Sequence, residues 1–297
     1  MKATKRRNRL DVIRSHPCFS REAHHRFGRI HLPVAPACNI QCRYCIRKYD
    51  CANESRPGVS SRVYTAPEAL ERVRLLVERG ERISVIGIAG PGDPLANDVT
   101  FEVLGAIGRE FPELILCVST NGLSLPERLD ALVGAGVRSL TITINAVVPE
   151  TAEEIYSRVS CNGMTYTGRA AADVLLSNQW RGLCKAVEAG LIVKVNTVLI
   201  PGVNDQEIPY IAWLAGRRGA AIHNIIPLIP QAEFEGLRRP TRAEINRLRD
   251  ECRQYMPQMT HCRQCRADAF GGIGEDRDME LEVINAMIGE EYCEMVS

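Results

Sequence analysis

The sequence predicts an α/β fold, a partial (βα) barrel of about six units, and two patterns support it. Short apolar runs recur along the chain, bounded by Gly, Pro or Asn and nearly continuous in Val, Ile and Leu, as expected for strands buried on both faces. Amphipathic helical patterns lie between them, which indicates parallel strands joined by helices. The runs are RIHLPVAP, ISVIGIAG, LILCVST, SLTITIN, LIVKVNTVLI and AIHNIIPLI.

The helical patterns are well delimited. In the first, APEALERVRLLVERG, the apolar residues share one face and Gly80 provides the stop. Those apolar residues are Ala69, Val73, Leu76 and Val77. Further patterns are VTFEVLGAIGREF, SLPERLDALVGAG, DVLLSNQWRGLCKAVEAG, DQEIPYIAWLAGRRG and TRAEINRLRDECRQYM.

No linker rich in Gly, Ser or Pro divides the chain, so the sequence predicts one catalytic domain with an extension at each end. We place an N-terminal extension at 1–28, the barrel at 29–256, and a C-terminal segment at 257–297 with a last helix near 279–289. The extensions are expected to cover the barrel mouth. One irregular stretch, VVPETAEEIYSRVSCNGMTYTGRAA, is compatible with a short helix and an active-site loop, and its letters do not decide.

The charge balance argues against two classes of partner. The formal net charge is only +1, and the start MKATKRRNRL is the one local excess of basic residues, so we expect neither a nucleic-acid nor a membrane partner. No apolar segment follows that start, and no apolar run of about 18 residues occurs, so the sequence predicts neither a signal peptide nor a membrane span. We therefore expect a cytoplasmic protein.

Twelve cysteines in such a compartment are expected to be metal ligands or core thiols rather than disulfides. Three of them lie in CNIQCRYC, directly after the first apolar run, at Cys38, Cys42 and Cys45. An iron–sulfur cube with four irons and three cysteine ligands keeps one iron open for another ligand. This spacing therefore predicts a cluster-binding loop with catalytic potential.

The ends of the predicted strands carry polar residues, which gather at one edge of a parallel barrel. Neutral amides and hydroxyls there suit a zwitterionic nucleoside ligand, and the sequence contains neither a P-loop nor a GxGxxG motif. The candidate ligand-binding residues are Gly90, Gly92, Asp93, Ser119, Thr120, Asn121, Asn145 and Asn196.

Further thiols and histidines have two interpretations each. Cys117 precedes STNG by two residues, where an inward-pointing thiol would face the barrel cavity, although a plain buried strand thiol is an equally good interpretation. His31 alternates with Pro33 and could point into the same lumen. The histidines of the polar N-terminal extension, His16, His24 and His25, fit a solvated arm.

Four cysteines have no partner at metal-binding spacing. Cys184 and Cys252 fall within helical patterns, so ordinary burial is the better interpretation, and Cys161 lies in the irregular stretch and stays open. Cys293 is the fourth.

The three-cysteine loop after the first strand and the Gly-rich turn after the second resemble those of the radical S-adenosylmethionine (SAM) superfamily. The resemblance implies a partial TIM-like (βα) barrel of the radical SAM type, in which the open iron of a [4Fe–4S] cluster chelates SAM. An electron from the cluster then cleaves the sulfonium and releases a 5′-deoxyadenosyl radical. The alternative for the loop is a three-cysteine zinc or structural site.

A closer resemblance, to the NifB family of nitrogenase cofactor biosynthesis proteins, runs from the HPC at residue 16 to the GED ending at 276. It is carried by HLPVAPACNIQCRYCIRKYDCANESRPG, GPGDP and CRQCRADAFGGIGED. It implies that two [4Fe–4S] clusters are fused into an eight-iron core with a carbide derived from a SAM methyl group. Some members carry a further C-terminal domain, and because this sequence stops at Ser297 we expect a stand-alone form that passes its product directly to another protein.

The same resemblance implies ligand sets and partners. His31, Cys51 and Cys117 are assigned to one substrate cluster, with His24 as the second choice for the histidine. Glu54 and Arg56 form either a surface ion pair or, as the family motif implies, a carboxylate and a guanidinium beside the clusters, with Glu54 accepting protons. The other substrate cluster is assigned to Cys18, Cys262 and Cys265.

The predicted function is therefore carbide insertion with SAM and three [4Fe–4S] clusters. The expected partners are an iron–sulfur cluster donor, an electron donor, and nitrogenase cofactor assembly or carrier proteins, and we expect a monomer. Two alternatives stay open. One is a radical SAM enzyme with auxiliary clusters acting on an organic or peptide substrate, and the other is a non-catalytic iron–sulfur scaffold.

Overall fold

The protein is described by a computed structural model over residues 8–53, 55–56, 58, 60, 62–275 and 277–284. No helix within this part of the chain is long and apolar enough to cross a lipid bilayer. The strands are β1 (Gly28–His31), β2 (Ile40–Cys42), β3 (Ile83–Ile88), β4 (Ile115–Thr120), β5 (Ser139–Thr143), β6 (Tyr156–Cys161), β7 (Met164–Tyr166), β8 (Ile192–Leu199), β9 (Ile222–Pro227), β10 (Ala269–Gly271) and β11 (Arg277–Asp278).

The helices alternate with these strands. They are α1 (Arg9–Ser15), α2 (Arg21–His24), α3 (Ala66–Glu78), α4 (Val99–Glu110), α5 (Leu125–Gly134), α6 (Pro149–Ile155), α7 (Gly168–Glu188), α8 (Ile208–Arg217) and α9 (Arg242–Cys252). Two short 3₁₀ turns lie at Pro94–Ala96 and Ala232–Phe234.

The barrel wall is a parallel sheet whose strands follow one another in chain order, β1-β3-β4-β5-β8-β9. These six strands coincide with the six apolar runs, and a helix packs after each, so the predicted partial barrel is confirmed. The register places Cys117 of β4 beside Gly87 of β3 and Ser139 of β5. All six strands run the same way, so their carboxyl ends meet at one mouth of the barrel.

Helix α3 illustrates how the sequence specifies these elements. Thr65 caps it, and the Glu68 carboxylate reaches back to the Thr65 backbone amide, which forms a capping box. Proline in the first turn fits the helix start because its missing N–H has no intrahelical partner there. The buried face, which includes Val73 and Leu76, packs into the main core.

The irregular stretch contains the short helix that its sequence allowed, but not the loop. It forms α6 and then a hairpin, β6–β7, rather than an active-site loop, and β6 pairs with β2 in the three-cysteine loop. Asn162 and Gly163 at the hairpin turn have φ angles of 51° and 74°, the left-handed conformation that two-residue hairpin turns require. The asparagine–glycine pair in SCNGMTY was the signal for this turn. The hairpin thus braces the loop that carries the cysteines.

The N-terminal extension closes one end of the barrel. Val12 of α1 packs against Val85 and Ile115, which stand at the starts of their strands, and Ser84 Oγ donates to the Ser15 carbonyl at 2.6 Å. This is the end opposite the mouth that we expected the extension to cover. The interpretation as a solvated arm is wrong for His16, which is 2% exposed.

The C-terminal segment closes the open side of the barrel between β9 and β1. The Met259 backbone amide donates to the His223 carbonyl of β9 at 2.8 Å, and β10 pairs antiparallel with β1. Residues 279–284 are helical, and the rest of the predicted last helix lies outside the described residues. The predicted domain boundaries at 28 and 256 remain predictions.

Candidate active site

The three-cysteine loop forms a small buried pocket at the barrel mouth. Cys38, Cys42 and Cys45 line a space of about 330 Å³, together with Cys51 and Asn53. The β6–β7 hairpin fixes β2, which carries the middle cysteine, while a backbone bond from the Cys45 amide to the Cys42 carbonyl (3.0 Å) tightens the turn that follows. The spacing read from the sequence therefore brings the three thiols to one pocket, which we call the triad pocket.

Each thiol of the triad pocket receives a hydrogen bond from a side-chain N–H group. Such bonds favour sulfur in its anionic form and tune the potential of iron–sulfur clusters, so they fit cluster ligands better than inert core thiols. The contacts are Asn121 Nδ2 to Cys38 Sγ at 3.9 Å, Asn53 Nδ2 to Cys42 Sγ at 3.8 Å, and Arg47 Nη1 to Cys45 Sγ at 3.9 Å. Asn53 and Arg47 are site residues that sequence reasoning missed, because nothing in their spacing marks them.

A bound cation would stabilise the deprotonated thiols of the triad pocket. Burial raises the pKa of the Cys38 thiol to about 11, and the Asp93 carboxylate adds to that shift. Burial also raises the pKa of Cys42 well above its ordinary value, and the neighbouring Cys45 and Cys38 raise it further. The Cys38 and Cys42 thiols therefore keep their protons at neutral pH without a metal, and iron binding would release them. The residues present thus fit a [4Fe–4S] cluster.

The turn after β3 packs directly on the cysteine loop. A Cβ atom at Gly92 would lie 2.1 Å from the Ala37 carbonyl oxygen, so only glycine allows this approach. Asp93 accepts hydrogen bonds from the Thr120 hydroxyl (3.0 and 2.9 Å) and the Asn121 amide (2.6 Å), and burial raises its pKa. Asp93 and Thr120 therefore hold two strand ends together.

Tyr44 connects the triad pocket to the strand ends. Its hydroxyl donates to Asn53 Oδ1 at 2.5 Å and accepts from Asn145 Nδ2 at 2.6 Å, and Asn145 is fully buried. Asn145 Oδ1 also accepts from the Val198 amide at 2.8 Å. Asn145 thus positions Tyr44 and Asn53 through hydrogen bonds, and direct ligand contact by Asn145 remains a prediction.

A second cavity, of about 690 Å³, occupies the barrel lumen below the triad pocket. We call it the lumen cavity. Its lining contains five of the six residues that the sequence assigns to the substrate clusters, and the sixth, Cys51, lines the triad pocket instead. The predicted inward orientation of His31 and Cys117 is confirmed, whereas the division into two ligand sets stays a prediction. The five are Cys18, His31, Cys117, Cys262 and Cys265.

Of the two histidines considered as cluster ligands, His31 lines the lumen cavity and His24 does not. The His31 ring lies over Gly87, where a Cβ would be 2.8 Å from the imidazole Cδ2, and its Nδ1 is 3.0 Å from the Arg266 carbonyl. A carbonyl only accepts, so Nδ1 carries the proton and Nε2 keeps the lone pair that a metal needs. The His24 ring instead lies 5.1 Å from that of His261, beside a surface pocket.

The lumen cavity has a positive lining. Three cationic side chains, Arg29, Lys194 and Arg263, line it, and among the described residues of its lining there is no Asp or Glu. Lys194 on β8 is 8% exposed, and its ammonium opposes the rise in the pKa of the Cys18 thiol that burial causes. Cys117 and Cys262 also influence that thiol, so these groups lie close together. The cavity therefore favours an anionic guest.

The other predicted residues lie in different surroundings. Ser119 and Asn196 line the lumen cavity, while Gly90 packs against Ala267 of the C-terminal segment. Arg56 has an exposed side chain, and its backbone amide donates to the Cys265 carbonyl at 3.1 Å. Glu54 lies outside the described residues, so its predicted pairing and catalytic role are not placed.

Three further cysteines within the described residues line neither space. Cys161 sits in the hairpin, 3.9 Å from Asn178 Nδ2, and Cys184 and Cys252 are in α7 and α9. Cys293 lies outside the described residues. In the described part of the chain, no three His, Cys, Asp or Glu side chains are arranged to hold a single metal ion. The cysteines of a four-iron cluster bind separate irons and lie farther apart than the ligands of one ion.

Comparison with known proteins identifies the family. The model of the radical SAM superfamily matches residues 32–214, which include the three cysteines and most of the barrel. The chain belongs to the radical SAM superfamily. Membership implies SAM and one [4Fe–4S] cluster as cofactors of this radical SAM protein.

Curated relatives share nearly half of their residues with this chain over most of its length. The radical SAM protein is 47% identical over 283 residues to the FeMo cofactor biosynthesis protein NifB of Klebsiella pneumoniae, covering 93% of this chain and 60% of that protein. It is 46% identical over 284 residues to NifB of Azotobacter vinelandii, covering 93% and 56%. The chain thus spans less than two thirds of the length of these relatives.

Solved structures agree with the fold. Streptococcus suis SuiB matches with a TM-score of 0.56 and 13% identity, covering 82% of this chain and 52% of SuiB. A radical SAM methyltransferase from Sphaerobacter thermophilus matches with a TM-score of 0.50 and 24% identity, covering 78% and 64%.

Proposed function

We propose that the protein is a radical SAM enzyme that fuses two [4Fe–4S] clusters and inserts a SAM-derived carbide, which yields the eight-iron precursor of the nitrogenase cofactor. The observation that carries the proposal is the lumen cavity. It brings soft thiol and imidazole ligands from both ends of the chain and from two barrel strands into one positively lined space below the triad pocket. Its positive lining suits anionic clusters as substrates, and the similarity to NifB proteins supports the same activity.

The resident cofactors bind at the triad pocket. Cys38, Cys42 and Cys45 hold the catalytic [4Fe–4S] cluster, which with SAM supplies a carbon-centred radical and a transferable methyl group. Gly92 lets the backbone of the GPGDP turn approach the pocket closely, and Asn121 donates to a cluster cysteine. The other predicted polar residues at the strand ends bind or orient SAM. They are Asp93, Ser119, Thr120, Asn145 and Asn196.

The two spaces are separated by very little protein. Asn53 Nδ2 contacts Cys42 Sγ, and the Asn53 carbonyl accepts from Asn196 Nδ2 at 3.5 Å. Asn196 lines the lumen cavity and accepts from Asn224 Nδ2 at 3.1 Å, another lining residue. A guest in the lumen would therefore lie close to SAM held beside the triad pocket, as hydrogen abstraction from a cluster-bound methyl group would require.

The substrate clusters are held by the two predicted ligand sets. His31 and Cys117 bind one cluster from the barrel wall, with Cys51 joining from the loop between the two spaces. A histidine ligand is more labile than a thiolate once protonated, which suits a cluster that must leave. Cys18, Cys262 and Cys265 bind the other. Glu54 and Arg56 act beside the clusters, with Glu54 accepting methyl protons.

Anaerobic reconstitution tests the proposal. The chain is loaded with iron and sulfide, its iron is counted, and SAM is added with a reductant. We expect about twelve irons per chain, as three [4Fe–4S] clusters require, and both 5′-deoxyadenosine and S-adenosylhomocysteine as products. About four irons with no S-adenosylhomocysteine would instead favour an organic or peptide substrate, and iron binding without SAM cleavage would favour a scaffold.

The cellular setting follows from this activity. The protein receives clusters from a cluster donor and electrons from an electron donor, and delivers its product to a nitrogenase cofactor assembly or carrier protein, working as a cytoplasmic monomer. Co-purification with a candidate carrier before and after SAM addition tests the delivery step, since product-dependent binding is expected.

A further inference from the structure

His16 is the one buried histidine of the N-terminal extension, and neither ligand set uses it. It follows α1 as its C-cap and is 2% exposed. Its ring packs edge-on against Phe19, with the ring centroids 4.9 Å apart and the planes at 84°. Together with Cys18 it lines the lumen cavity.

The hydrogen bonds of His16 define its tautomer. The Cys18 backbone amide donates to His16 Nδ1 at 3.1 Å, so Nδ1 acts as an acceptor and carries no proton. The ring proton of the imidazole is therefore on Nε2. Within the described residues His16 Nε2 is buried and has no hydrogen-bond partner. A buried donor without an acceptor is unfavourable, so a group missing from the folded chain is expected to accept from it.

His16 and His31 present opposite ring edges to the lumen cavity. His31 Nδ1 donates to the Arg266 carbonyl, which leaves a lone pair on Nε2 for a metal. His16 Nδ1 accepts from the Cys18 amide, which leaves a proton on Nε2. Through Nε2, His16 can therefore donate a hydrogen bond but cannot bind iron while this contact holds.

The surroundings indicate an anionic acceptor. His16 lies near Lys194, and the cavity lining adds Arg29 and Arg263 but no carboxylate among its described residues. An iron–sulfur cluster held by thiolates is anionic, and its sulfurs accept hydrogen bonds. His31 of the other ligand set also lies near His16. The Cys18 backbone, however, is hydrogen bonded to the His16 ring itself, so we assign the acceptor of Nε2–H to the cluster of the Cys18 set.

We propose that His16 is a positioning residue whose Nε2–H donates a hydrogen bond to a sulfur of the substrate cluster bound by Cys18, Cys262 and Cys265. This rests on the proposed function. The bond holds the cluster in one orientation and stabilises its reduced, more negative state.

The test compares three variants of the full-length, cluster-loaded chain. His16→Phe keeps the ring and removes the donor, while His16→Gln places an amide N–H near the position of Nε2. His25→Phe, at an exposed histidine of the same extension, is the matched control. An electron paramagnetic resonance titration measures the oxidised-to-reduced ratio of the substrate clusters in each protein.

Among the three variants, we expect a clear change in the reduction potential of the substrate clusters only in His16→Phe. At the midpoint potential of the unaltered protein, the reduced-to-oxidised ratio falls roughly tenfold, which is 59 mV for a one-electron couple. His16→Gln restores the ratio to within about threefold, and His25→Phe leaves it unchanged. Pulsed proton resonance in H₂O and D₂O gives a second readout, because the Nε2–H should appear as an exchangeable proton coupled to the cluster.

Several outcomes overturn the inference. An unchanged potential in a fully loaded His16→Phe protein refutes it and leaves the proposed function standing. Strong coupling of a ¹⁵N-labelled His16 nitrogen to the cluster would make His16 a ligand and refute it equally. A parent protein with only about four irons refutes the proposed function first. If His16→Phe does not fold, the exchangeable proton in the unaltered protein decides, and its absence refutes the inference.

Discussion

The triad pocket and the lumen cavity are assembled in different ways. The triad pocket takes its three thiols from eight consecutive residues, and each thiol has its own N–H donor. The lumen cavity draws its five predicted ligands from four separate parts of the chain and has a positive lining. A local motif thus forms the site of the resident cofactor, whereas the fold as a whole forms the cavity in which we propose that a guest binds. A substitution that abolishes cluster binding at one site should therefore leave cluster binding at the other site intact.

Loss of the triad should have the largest effect. In a Cys38→Ala, Cys42→Ala, Cys45→Ala variant, we expect 5′-deoxyadenosine formation to fall to the background rate, because no cluster can hold SAM. The iron content should drop by only about four atoms per chain, since the lumen ligands remain. Iron analysis and product quantification check both, and loss of all bound iron would show that the two sites are not independent.

Removal of a lumen thiol should stop formation of the cofactor precursor without stopping SAM cleavage. Cys262→Ala is expected to cleave SAM and to yield no mature cofactor precursor, because one substrate cluster loses a ligand while the triad pocket is untouched. The measurement is 5′-deoxyadenosine formation beside activation of a cofactor-free nitrogenase. Cys184→Ala, on α7 and outside both spaces, is the control. Normal maturation by Cys262→Ala would contradict the assignment of the C-terminal pair.

Removal of positive charge from the lumen should weaken retention of the guest. For Lys194→Met we expect loss of lumen iron to a chelator to be roughly tenfold faster, because a nearby ammonium stabilises an anion in a buried site. Lys194→Arg should behave like the parent protein. Lys185→Met, at an exposed lysine, controls for the general loss of one charge. Equal rates for the Met and Arg variants would argue for a steric role.

The smallest effect concerns the barrel wall itself. Burial lowers the pKa of His223 to about 3, against about 6.5 in an unfolded chain. Below pH 6.5 the unfolded chain takes up a proton that the folded one does not, so stability falls as the pH falls towards 3. At pH 5 this costs about 2 kcal/mol of unfolding free energy.

His223→Gln removes this titration and leaves an amide near Thr197, with which His223 Nε2 is hydrogen bonded at 3.0 Å. The free energy of unfolding is measured by anaerobic urea unfolding at pH 7 and at pH 5. Its decrease between the two pH values should be smaller in the variant by about 1–2 kcal/mol. In the control variant His25→Gln, the free energy of unfolding should decrease between pH 7 and pH 5 by as much as in the parent protein. An unchanged loss in His223→Gln would mean that other groups dominate acid unfolding.

The sequence predicted what depends on neighbouring residues. The six strands, their helices and the triad follow from apolar periodicity and cysteine spacing, and all three are found. The β6–β7 hairpin was missed although Asn162 and Gly163 marked its turn, because the surrounding stretch was interpreted as a loop.

What the sequence did not reveal depends on distant pairings. His16 lies in a stretch without apolar periodicity, and its burial comes from packing of the extension on strands more than sixty residues away. The pairing of Arg29 with Gly271 joins positions 242 residues apart, and no local pattern encodes it. The N–H donors Arg47 and Asn53 were likewise missed, because only the folded loop places them beside the thiols of the triad pocket.

The N-terminal extension and the C-terminal segment also contact each other. His261 Nε2 donates to the Pro17 carbonyl at 2.9 Å, which joins residues 244 positions apart beside the lumen. A cluster bound by Cys18 on one end and Cys262 on the other would act there as a reversible cross-link. By mass action, the closed arrangement of the ends would then gain stability in proportion to the logarithm of cluster supply. The loaded protein should resist proteolysis at its ends, and delivery of the product should restore their susceptibility.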